Sequence, residues 1–139
     1  MNRRLSLLVV TLIVGIALGM VTSQVLLAQQ APPIKRTTLQ QTDLEGVAGK
    51  EVIMYVADIA PGGVAGRHFH PGPEFAYILE GSLVLEPEGK GPMIFKKGDS
   101  FHNPAKVVHD AKNKSTSEAT KVLVVLVGEK GAPLSTAVK

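Results

Sequence analysis

The sequence predicts an all-β domain, an antiparallel barrel or sandwich, and three observations carry that reading. No apolar stripe at helical spacing appears after residue 36. About nine short β-prone runs follow one another, divided by Gly/Pro turns. Most connections are tight, which joins neighbouring strands antiparallel. Closing or doubling the sheet also removes exposed strand edges.

The elements follow in order. Residues 1–28 form a secretory signal or an uncleaved membrane anchor. A basic start, Asn2-Arg3-Arg4, precedes an almost wholly apolar run from Leu5 to Ala28. Either form places the domain outside the cytoplasm, in the periplasm or beyond the cell, touching a membrane only if the segment is uncleaved. Residues 29–36, QQAPPIKR, read as an extended linker. The domain is expected over 37–130, with Thr37–Thr42 as a first strand. Lys50–Ile59 is a long strand that ends at Ala60-Pro61-Gly62-Gly63. Arg67–His70 is a short extended piece cut by Pro71-Gly72-Pro73, and a residue before proline is held extended. Glu74–Glu80 and Ser82–Glu86 make a hairpin about Gly81. Met93–Phe95, Ser100–His102, Val107–Lys112 and Lys121–Gly128 complete the set, the last being the most apolar. Residues 131–139 read as a frayed tail.

Charge and composition exclude several functions. Of 15 Lys and Arg, two lie in the leader, leaving 13 against 12 Asp and Glu, so the domain is near neutral. No basic stripe suits nucleic acid and no glycine loop suits phosphate. The absence of cysteine removes disulfides, thiolate ligands and thiol catalysis.

Chemistry concentrates in one window. All four histidines, His68, His70, His102 and His109, fall within 42 residues. His68 and His70 are two apart, which on a strand places both on one side. Glu74 adds an anionic oxygen four residues on. Imidazole is the commonest protein metal ligand, so this segment can set two nitrogens and one oxygen around a point. His102 shares strand parity with Ser100. It either faces the interior as a general acid/base or is an ordinary exposed histidine. Tyr55, Phe75 and Tyr77 either line a pocket or belong to the core. Arg67 either meets an acidic substrate or is a surface charge.

These residues resemble the two motifs of the cupin family. The first is Gly, five residues, His, one, His, three or four, Glu, six, Gly; Gly62, His68, His70, Glu74 and Gly81 meet it. The second is Gly, five, Pro, one, Gly, two, His, three, Asn; Gly98, Pro104, His109 and Asn113 meet it. Lys106 stands where the family carries glycine, which calls for an unusual backbone angle or a changed turn. The resemblance covers residues 50–128 and is closest to small single-domain cupins often labelled quercetin-dioxygenase-like. It implies a six-to-eight-stranded jelly-roll barrel holding one divalent metal through His68, His70, Glu74 and His109. It further implies a small-molecule ligand or substrate and a homodimer. Three imidazoles and a carboxylate suit Mn, Fe, Co, Ni or Zn. Two functions stay open. One is an enzyme, an oxygenase, hydrolase, isomerase or decarboxylase, with Glu74 and His102 as catalytic groups. The other is a metal or small-molecule binding module without turnover; an interaction domain that keeps an ancestral metal is a third, less favoured by the intact ligand set.

Overall fold

The structure, a computed structural model, describes residues 33–139. The expected signal or anchor segment and the first residues of the linker lie outside the described residues. Among the described residues ten strands form two five-stranded sheets. The first sheet runs β1 (Ile34–Asp43), β2 (Lys50–Ile59), β9 (Thr120–Glu129), β4 (Glu74–Glu80), β7 (Ser100–Asn103). The second runs β10 (Thr136–Ala137), β3 (His68–Phe69), β8 (His109–Lys112), β5 (Ser82–Pro87), β6 (Met93–Lys96). Every pairing is antiparallel. This is the all-β architecture expected from the turns, in the jelly-roll arrangement that the family resemblance implies.

Alternation sets the core. Along β2 and β9 each inward residue is buried and its neighbours are half-buried. Ile53, Tyr55, Ala57 and Ile59 of β2 meet Val122, Val124 and Leu126 of β9, with Ala76, Ile78 and Leu83 closing the cluster. Ile78 has no exposed surface, and a side chain of that size gains roughly 1.5–3 kcal/mol by full burial. The outward parity of the first sheet is also apolar: Val52, Met54, Val56, Leu123 and Val125 are half-buried, and Phe75 and Tyr77 are 50% and 45% exposed.

Two expectations at the ends of the domain are corrected. Ile34–Arg36, placed in the linker, already pair with β2 as Ile34↔Ile59 and Arg36↔Ala57. Residues 131–139 do not fray. Gly131 N–H donates to buried Glu51 Oε1 at 2.8 Å, and Lys130 N–H to Gly49 O at 3.0 Å. Half-buried Leu134 packs on the core, Thr136 and Ala137 pair with Phe69 and His68, and Val138 N–H donates to Arg67 O at 2.9 Å. The segment is a strap across the edge of the strand that carries His68.

Lys106 takes φ 63°, the one non-glycine residue in the left-handed region among the described residues. The turn therefore keeps the conformation that glycine would favour, with lysine in it. Its amide donates to His70 O at 2.9 Å, so this turn fastens the segment after β3.

Candidate metal centre

His68 and His109 are direct cross-strand partners on β3 and β8. Cross-strand partners share a sheet face, and here that face is the interior, since both are buried. His70 lies just beyond β3, held by Pro71 and by Lys106. The next turn is pressed onto β9: a Cβ on Gly72 would stand 1.6 Å from Val127 O, so only glycine lets the loop approach this closely. Pro73 O accepts from Val127 N–H at 3.1 Å, and the chain enters β4 with Glu74 buried and inward.

The imidazoles converge. One ring nitrogen from each of His68, His70 and His109 lies within 4.8 Å of the others, and ring centroids are 4.5–5.2 Å apart. Each Nδ1–H donates to a backbone carbonyl: His68 to Gly66 O at 2.7 Å, His70 to Leu134 O at 2.6 Å, His109 to Val107 O at 3.0 Å. That fixes one tautomer three times and leaves each Nε2 unprotonated, the arrangement that supports metal-ligating histidine. Burial pushes all three imidazoles below the usual histidine range, against the opposing pull of those carbonyls and of Glu74. They are neutral donors near neutral pH.

Glu74 stands beside this set. Its Oε1 lies 3.3 Å from His70 Nε2 and its Oε2 3.8 Å from His109 Nε2. Buried Asn103, opposite Glu74 on β7, donates from Nδ2 to Glu74 Oε2 at 2.7 Å and reaches His109 Nε2 at 3.3 Å. Sequence reasoning passed over Asn103. Its only local signal is Pro104, which holds it extended; its register opposite Glu74 is a long-range fact.

His102 is not at this centre. Its neighbour Asn103 takes the inward parity, so His102 points outward, exposed and stacked on Phe75 at 4.9 Å. Phe75 and Tyr77 share that outer face, whereas Tyr55 is buried and lines the cavity beside the histidines. Burial and the charge of Glu74 raise its hydroxyl above the usual phenol range. Arg67 is an exposed partner of Glu88. Asn113, the last motif residue, is structural: its Nδ2 donates to Ile59 O, Ala60 O and Glu118 O.

The cavity is lined by the three histidines, Glu74, Arg36, Tyr55 and otherwise apolar side chains. Its volume is about 40 Å³, room for roughly three waters or one small ligand.

Residues 55–126 match the family model described as "Cupin domain". A germin-like protein of Morus alba is 32% identical over 88 residues, covering 60% of this chain and 42% of the relative. The chain thus spans about two fifths of that relative's length. Among solved structures, a cupin-like protein of Thermotoga maritima is 25% identical at TM-score 0.59, over 76% of this chain and 75% of its own. DMSP lyase DddQ of Ruegeria pomeroyi is 21% identical at TM-score 0.61, over 76% and 51%. KdgF of a Halomonas species is 20% identical at TM-score 0.58, over 72% and 84%.

Proposed function

This chain belongs to the cupin family, and from that premise we propose that it binds one divalent metal ion through His68, His70, His109 and Glu74. We propose further that it uses the site for a metal-assisted reaction on a small organic molecule. The observation that carries the reading is the threefold Nδ1–H···O=C arrangement, which aims three lone pairs at one buried point. Such a preset donor set fits a borderline divalent ion, and the histidines need release no proton to bind it.

When bound, such an ion supplies Lewis acidity toward a substrate oxygen. The chain supplies the remaining functions. Glu74, off the metal or protonated at it, takes or returns a proton, while Asn103 fixes the carboxylate plane through Oε2. The apolar walls limit water around the ligand. One neighbour is named a DMSP lyase; at its identity only the fold is common ground, so the substrate is not transferred from it.

The leader supports export of the domain. The apolar outer face of the first sheet supports a homodimer across it. This face is bordered by Lys50–Glu129 at one end and Lys121–Glu80 at the other, so a two-fold partner meets both charge signs.

Metal analysis of the protein purified from its own compartment tests the reading. One equivalent of a divalent metal is expected, lost in His70→Ala and His109→Ala. Full metal content in both variants would remove the assignment. Turnover is tested by incubating the loaded protein with small carbonyl compounds; tight retention without product would favour the binding module instead.

A further inference from the structure

We infer that Arg36 and the Tyr55 hydroxyl form an anion subsite at the cavity mouth, so that the ligand taken up beside the histidines is a small carboxylate. This rests on the metal-binding reading above and names the ligand class for that site.

The ladder places Arg36. Ile34, Arg36 and Thr38 lie opposite Ile59, Ala57 and Tyr55, and those three β2 residues all face the interior. Direct partners share a face, so the Arg36 side chain starts on the inner side of the edge strand. It lines the same cavity as His68, His70, Glu74 and His109 and, among the described residues, is the one lysine or arginine that does. Arg36 is exposed at the mouth of this cavity, and Tyr55 lines the same cavity from β2.

Among the described residues Lys50, Arg67, Lys112, Lys121 and Lys130 are each already paired with a carboxylate, whereas Arg36, like the remaining lysines, is not. A divalent ion on three neutral imidazoles and one carboxylate keeps a net positive charge, and Arg36 adds another. The remaining wall is apolar, so a neutral ligand would leave that charge without a counter-charge. A carboxylate answers both: one end reaches the histidine centre, the other accepts from a planar guanidinium that matches it in shape. The limited room excludes large anions.

The test uses the full domain loaded with Zn²⁺ at low ionic strength, with pyruvate and its neutral isostere pyruvamide as probes in calorimetric titrations. Zinc content is measured for every sample. The native protein is expected to bind pyruvate about tenfold or more tightly than pyruvamide. Arg36→Gln is expected to keep its zinc, to lose about tenfold in pyruvate affinity and to leave pyruvamide unchanged. Arg36→Lys keeps part of the preference, because charge remains while the planar fork is lost. A zinc-loaded Arg36→Gln protein with the native preference overturns this inference alone, as does a native protein that does not discriminate. A native protein that takes up no zinc overturns the metal reading, and this inference with it.

Discussion

The strap over residues 131–139 gives the sharpest prediction, because it separates metal affinity from fold stability. A variant ending at Ala132 loses Leu134 O, the sole acceptor recorded for His70 Nδ1–H. It also loses the Val138 N–H bond to Arg67 O and the β10 pairing. Removing an outer-shell partner of a metal histidine weakens metal binding by about 10- to 100-fold. The lost hydrogen bonds and the half-buried Leu134 together cost roughly 2–3 kcal/mol of folding stability. A second variant, ending at Ser135, keeps the Leu134 carbonyl and loses β10 and the Val138 N–H bond. Competition titration with a zinc chelator reads affinity, and urea unfolding of the metal-free protein reads stability. The expected result is a large affinity loss in the shorter chain and a small one in the longer, with both destabilised. Equal zinc affinity in the native and Ala132-terminated proteins would refute the idea that the strap sets His70.

Further outcomes follow from single residues. Lys106→Gly relieves a left-handed lysine and is expected to stabilise the domain by about 1 kcal/mol in urea unfolding; destabilisation would show that the lysine side chain compensates for its backbone. His102→Ala is expected to leave zinc affinity within about twofold of native, since the ring lies outside on Phe75. A tenfold loss would return His102 to the site. In light scattering after size exclusion the native domain is expected to run as a dimer and Val125→Lys as a monomer, because a lysine would be forced into the apolar face. A native monomer at all concentrations would remove the dimer.

Much of the molecule is readable from residue order because strand parity is a local property. Lys50–Ile59 alternates cleanly, and its bounds are those observed. His68 and His70, with Glu74 after Pro71-Gly72-Pro73, read as one cradle because a turn keeps them adjacent. The ambiguity of His102 is of the same origin: period two says that His102 and Asn103 face opposite ways, not which of them faces in. Register decided it, through Glu74↔Asn103. Leu134 contributes only a backbone carbonyl, which no side-chain pattern marks. Arg36 was concealed by Pro32-Pro33, which reads as tether although pairing with β2 begins at Ile34. Each of these depends on contacts between residues far apart in sequence, set by packing and not by local propensity.

The central claim is that three imidazole Nε2 atoms from His68, His70 and His109 hold one ion. X-ray absorption at the zinc edge of the loaded protein tests it most directly. The expected first shell is nitrogen and oxygen at about 2.0–2.1 Å, with outer-shell scattering from three imidazoles that falls to two in His68→Ala. A shell without imidazole scattering, or one unchanged in that variant, would contradict it.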